Sequence, residues 1–69
     1  MDRSPVTSGN LAEVGYDHNS ATLEIMFRNG GIYQYYNFPN FMYERFIQSE
    51  SLGKFFNVEI KNRFPETRI

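Results

Sequence analysis

Apolar and polar residues alternate along Thr22 to Phe27. Leu23, Ile25 and Phe27 fall on one side and Thr22, Glu24 and Met26 on the other, the period of two that marks a half-buried strand. Arg28-Asn29-Gly30-Gly31 supplies a turn, and Ile32 to Tyr36 returns. A two-residue Asn29-Gly30 turn would put Gln34 on the apolar side. A three-residue turn, Arg28-Asn29-Gly30 with Gly30 left-handed, shifts the return strand by one residue. Ile25 then faces Tyr33, Leu23 faces Tyr35, and Gln34 pairs with Glu24 on the far side. The second register is chosen because it leaves one consistently apolar face.

Upstream, Ala12, Val14 and Tyr16 alternate with Leu11, Glu13 and Gly15, which predicts the first strand. Asp17-His18-Asn19-Ser20-Ala21 is a cluster of turn formers that folds it back. Downstream the period changes. Pro39 suits a first helical position, and Met42, Tyr43, Phe46 and Ile47 follow at helical spacing while Glu44, Arg45 and Gln48 face away. Ser49-Glu50-Ser51 breaks that helix, and Ser51 is a good N-cap for the next. In the second helix Leu52, Phe55, Phe56, Ile60 and Phe64 form one apolar arc. Glu59 and Arg63 fall inside it, spaced for an ion pair, unless the helix frays before Arg63. Pro65 ends the helix and leaves Glu66 to Ile69 as a tail.

The expected fold is therefore α+β: a three-stranded antiparallel β-meander followed by two α-helices packed on one face. One domain is expected over residues 6–69, with residues 1–5 a flexible N-terminus. The uncovered face would carry Met26, Ile32 and Tyr36 beside Thr22, Glu24 and Gln34, a surface suited to a protein partner or to self-association.

Composition adjusts this picture in three ways. A chain of 69 residues is a small domain, and such domains bury little surface and are marginally stable; seven Phe and five Tyr offset that with large buried area. Cysteine is absent, which removes disulfides and thiolate metal sites and matches a reducing, cytoplasmic location. Neither a basic-then-apolar leader nor an apolar run long enough to span a membrane is present. Net charge is −1, unevenly spread. Residues 1–50 hold three arginines against six acids, net −3, and residues 51–69 hold four basic residues against two acids, net +2.

Candidate chemistry is sparse. His18, the single histidine, sits in a turn, so no enzyme activity, metal site or cofactor is expected. Tyr33-x-Tyr35 puts two aromatics on one side of a strand, where stacking of bases competes with packing in the core. The chosen register turns both toward the helices, leaving Tyr36, with Arg28 near the turn, as the stacking candidate. Ser51-x-Gly53-Lys54 offers a helix start, an open backbone and a cation, a candidate phosphate site made by Ser51, Gly53 and Lys54. Lys54, Lys61 and Arg63 extend the positive charge along the same segment.

Asn10-Leu11, Val14-Gly15-Tyr16-Asp17, Leu23-x-Ile25-x-Phe27-x-Asn29-Gly30, Tyr33-x-Tyr35 and Phe38-Pro39 follow one another in the order and spacing of the KTSC domain. So do Ser51-x-Gly53-Lys54-Phe55-Phe56-Asn57, Ile60 and Phe64-Pro65. The chain resembles that family over nearly its whole length, departing at Phe38, where an aliphatic residue is usual. The family takes its name from the C-terminal extension of some lysyl-tRNA synthetases, and its members also occur as small stand-alone proteins of bacteria and phages. The resemblance implies no established activity; RNA binding has been suggested for the family. The functional expectation is a non-catalytic module binding RNA or another nucleic acid through Arg28, Tyr36, Lys54, Lys61 and Arg63. The alternatives are a protein partner or homodimer contact on the open sheet face, or sequestration of a free nucleotide.

Overall fold

The computed structural model describes residues 1–69. Its centre is the expected hairpin, in the three-residue register. Strand β3 (Thr22–Phe27) pairs antiparallel with β4 (Ile32–Tyr35), Ile25 opposite Tyr33 and Glu24 opposite Gln34. Gly30 is left-handed, φ 96°, and the Phe27 N–H donates to the Gly31 carbonyl across the turn. The Asn29 side chain accepts from the Gly31 N–H at 2.9 Å and locks it.

The sheet has five strands, not three, in the order β1-β2-β3-β4-β5 with neighbours antiparallel. β2 (Leu11–Asp17) is the expected first strand. β1 (Ser4–Pro5) adds to it at one edge, where a flexible terminus was expected. β5 (Glu66–Arg68) adds to β4 at the other edge, where a tail was expected. Both additions satisfy backbone groups that would otherwise sit unpaired along β2 and β4.

A bulge at Ala12 corrects the reading of β2. Leu11 pairs with Phe27 and Glu13 with Met26, so one extra residue on β2 faces a single step on β3. The slip rotates Leu11 onto the same side as Val14, and it is fully buried. The core is then Leu11, Val14, Leu23, Ile25 and Tyr35 from the sheet against Phe38, Met42, Phe46, Phe56 and Ile60.

Two helical segments supply those last residues. α1 (Asn40–Ile47) is capped by Pro39, which sits one position earlier than expected. The Pro39 carbonyl accepts from the Met42 and Tyr43 N–H groups. Met42 and Phe46 face the core, whereas Ile47 is 43 % exposed rather than part of the apolar stripe. α2 (Leu52–Phe55) widens into a π-turn over Phe56–Ile60, closed by the Lys61 N–H donating to the Phe56 carbonyl at 2.8 Å. The widening brings Phe56 and Ile60 onto the sheet, and the helix stops there. Arg63 makes no ion pair with Glu59; its Nε donates to the Val58 carbonyl at 3.0 Å.

The sheet face away from the helices is not an apolar surface. Arg3 reaches across it to Glu13 at 2.9 Å and to Glu24. Gln34 donates to Glu24 at 2.8 Å, and the Tyr36 hydroxyl donates to Gln34 at 3.0 Å. The chain near Asp2 passes over Gly15, where a β-carbon would lie 2.3 Å from the Asp2 carbonyl oxygen. Glu24 is only 4 % exposed beneath this strap. Burial alone would raise its pKa, but the Gln34 and Arg3 hydrogen bonds and the nearby positive charge outweigh burial and hold it below the ordinary value. A depressed carboxylate contributes stability above its unfolded pKa and loses it as pH falls through the folded one. Arg3→Met keeps the stem but removes the charge. It should raise the Glu24 pKa in a side-chain carboxyl titration and move acid unfolding to higher pH; an unmoved titration would show that Arg3 does not hold Glu24.

Candidate functional site

Three segments distant in sequence meet beside the hairpin turn. The first is the loop between β1 and β2. Its Ser8 hydroxyl accepts from the Leu11 N–H at 3.3 Å, a local turn of the kind serine favours. The second is the hairpin turn itself. The Arg28 N–H donates to the Asn10 carbonyl at 2.8 Å, and the Arg28 Nε donates to the Ser8 carbonyl at 2.7 Å. That pair of bonds ties the turn to the loop and leaves the terminal guanidinium nitrogens without a protein hydrogen bond.

The third segment is the start of α2. Ser51 caps it, accepting from the Lys54 N–H at 3.2 Å. The hydroxyl oxygen accepts in the cap and keeps its proton to donate, so Ser51 and Lys54 both remain available from the expected phosphate set. Gly53 packs toward the loop, where an added β-carbon would meet the Ser8 hydroxyl at 3.8 Å and the Asn10 amide at 3.9 Å, ordinary contact distances.

Between these segments lies a cleft of about 240 Å³. Leu11, Phe27 and Phe56 form its apolar floor, and Asn10, Arg28, Asn29 and Asn57 its polar rim. A shallower depression of about 440 Å³ adjoins it, bounded by Thr7 to Asn10 on one side and Glu50 to Lys54 on the other. Asn10, Gly53 and Asn57 line both, so the two form one groove across the loop–helix junction. The side chains of Asn10 and Asn57 make no hydrogen bond within the chain, and neither Arg28 nor Lys54 has a carboxylate partner. Free amides and cations above an aromatic floor suit a planar ligand with hydrogen-bonding edges and a negative charge nearby.

The structure thus gathers Arg28, Ser51, Gly53 and Lys54 from the expected site residues. It does not bring Tyr36 to them. Tyr36 lies on the opposite face of the sheet, in the Arg3–Glu24–Gln34 network. Lys61 is exposed beyond the π-turn, and Arg63 folds back on Val58. Tyr33-x-Tyr35 is divided between two environments. Tyr35 is buried against Phe56, and burial pushes its hydroxyl pKa well up; Tyr33 packs on Phe27 with Arg68 above its ring at 5.9 Å. Neither ring is a free stacking platform.

Sequence reasoning missed Asn10 and Asn57 as rim residues, and Phe27 with Phe56 as floor. The signal for Asn57 is its helical spacing from Lys54, three residues on, which puts both on the polar side of the second helix. His18 is exposed in its turn, in edge contact with Tyr16. No group of three or more His, Asp or Glu side chains comes together.

A family model, the KTSC domain, matches residues 7–64. A protein of Tsukamurella paurometabola is 35% identical over 60 residues, spanning 87% of this chain and 90% of its own length. An uncharacterized protein of Stutzerimonas stutzeri is 33% identical over 61 residues, covering 88% and 86% respectively. The crystal structure of a KTSC domain protein from Yersinia pestis superposes with a TM-score of 0.96 at 38% identity, over 99% of this chain and 96% of that one.

Proposed function

The chain belongs to the KTSC domain family, and from that premise we propose that it is a small non-catalytic binding module whose groove takes single-stranded RNA. One observation carries the reading: unpaired amides and cations rim an aromatic-floored cleft that continues along the loop–helix junction. Single-stranded bases are recognised by packing a flat face on aromatic side chains while polar groups meet their edges. Here the exposed part of Phe27 offers the packing surface, with the buried Phe56 ring supporting it from below, and Asn10 and Asn57 the hydrogen-bonding groups. Arg28 at one end and Lys54 at the other are placed for the flanking phosphates.

A cleft of about 240 Å³ is below the usual range for a drug-sized ligand, roughly 300–1,000 Å³, and matches a single base. Stacking therefore passes from Tyr36 to the cleft floor, with Lys61 and Arg63 as flanking charge only. The net charge of −1 makes this a local interaction, not a general attraction to polyanions.

Amide shift mapping with a short single-stranded RNA tests the proposal. Shifts are expected at Asn10, Arg28, Gly53 and Asn57. Two phosphate contacts at a slope of about −0.7 each imply roughly sevenfold weaker binding between about 50 and 200 mM salt. Arg28→Glu with Lys54→Glu should reduce affinity about fivefold or more, with two cations lost at about 1 kcal/mol or more in total. Equal shifts in the double variant, or silence at those amides, would refute the reading. Retention of a mononucleotide with no gain from added phosphates would identify the ligand as a free nucleotide instead.

A further inference from the structure

The two edges of the sheet differ in a way that bears on assembly. β1 is two residues long and carries Pro5, which has no N–H to offer a further strand. β5 has no such block. Glu66, Thr67 and Arg68 are all exposed, and no helix or loop covers their outer side. Their hydrogen-bonding direction follows from the β4 pairing. Tyr36 N–H donates to the Pro65 carbonyl and Ile69 N–H to the Ile32 carbonyl, so Pro65, Thr67 and Ile69 point their main-chain groups at β4. Glu66 and Arg68, between them, point theirs outward.

We infer that β5 is the docking edge for a second copy of this chain, antiparallel about a two-fold axis at Thr67, with Glu66 of each copy opposite Arg68 of the other. Main-chain hydrogen bonding admits only registers that match outward-pointing residues with outward-pointing residues. Among these, the register centred on Glu66 sets two carboxylates face to face, and the one centred on Arg68 sets two guanidinium groups face to face. The register centred on Thr67 alone places opposite charges across both pairs, and each pair exchanges its main-chain hydrogen bonds. The arrangement is self-complementary, as a two-fold contact must be.

Two further features fit this occupant. Within one copy neither Glu66 nor Arg68 has an ion-pair partner. On the other face of the seam, Ile69, 60 % exposed in the single copy, comes opposite Pro65 of its neighbour. The product is one continuous sheet through both copies, with a groove on each, so a ligand long enough to reach both is held twice.

Sedimentation of the full chain from micromolar to millimolar concentration tests this. The apparent mass should rise from 8.2 kDa toward twice that value. Glu66→Arg, which sets arginine against arginine, and Arg68→Glu, which sets glutamate against glutamate, should each keep the chain monomeric over the same range. The double swap, Glu66→Arg with Arg68→Glu, should restore the dimer. An equal mixture of the two single variants should also dimerise, because each supplies the charges the other lacks. Both residues are exposed, so far-UV circular dichroism should be unchanged throughout. A wild-type chain that stays at 8.2 kDa at millimolar concentration overturns the inference. So does a dimer that persists in both single variants, or a swap that fails to restore it.

Discussion

Phe38→Ala should lower the stability of this protein by about 3–5 kcal/mol, the usual cost of deleting a buried aromatic ring. Phe38 is fully buried, in edge contact with Phe64 at 4.8 Å and near Tyr16 at 6.3 Å. It also links sheet to helix, since its N–H donates to the Ala21 carbonyl and its carbonyl accepts from the Tyr16 hydroxyl at 2.6 Å. Those bonds involve its backbone and survive the substitution, so the loss reports the ring alone. At roughly 0.05–0.15 kcal/mol per residue a chain of this length holds about 3.5–10 kcal/mol in all. The variant is therefore expected to be partly unfolded at room temperature, or to melt at least about 12 °C lower. Phe38→Leu keeps most of the volume and should cost only about 1–2 kcal/mol. Thermal melts followed by far-UV circular dichroism compare the two; similar losses in both would mean the ring is not a core element.

Gly15→Ala should destabilise the protein by about 1–3 kcal/mol, the range for forcing an extra carbon into filled space. Glycine to alanine at an unstrained position ordinarily stabilises by about 0.4–1 kcal/mol, through the unfolded chain. The sign is reversed here because the new carbon would lie 2.3 Å from the Asp2 carbonyl oxygen, a backbone atom that cannot rotate away. The first residues must lift off the sheet, taking Arg3 from Glu24 and loosening β1. Hydrogen exchange should accelerate at Val6, whose N–H donates to the Ala12 carbonyl, and the Glu24 pKa should rise as in Arg3→Met. Undiminished stability with unchanged exchange at Val6 would sink the claim that the strap is seated.

The hairpin register was legible because two local signals agree: a left-handed glycine after Arg28-Asn29, and an alternation that keeps Gln34 off the apolar face. The helical core residues Met42, Phe46, Phe56 and Ile60 were legible for the same reason, since spacing alone assigns a face. β1 and β5 were not. Strands of two and three residues, Ser-Pro and Glu-Thr-Arg, are too short to show a period and are poor in β-branched or aromatic types. They exist because β2 and β4 have free edges to pair.

The groove follows the same division. Arg28, Ser51, Gly53 and Lys54 stood out one by one as residue types with a chemistry. Tyr36 did too, yet it belongs to the other side of the sheet. Periodicity measures position along one element and carries nothing about which elements touch. That Arg28 would clasp the Ser8–Asn10 loop, and Gly53 come to rest on that loop from the other side, was decided by the Ala12 bulge and the π-turn. Both shift a segment by one residue to satisfy packing against distant parts of the chain, which no local pattern encodes.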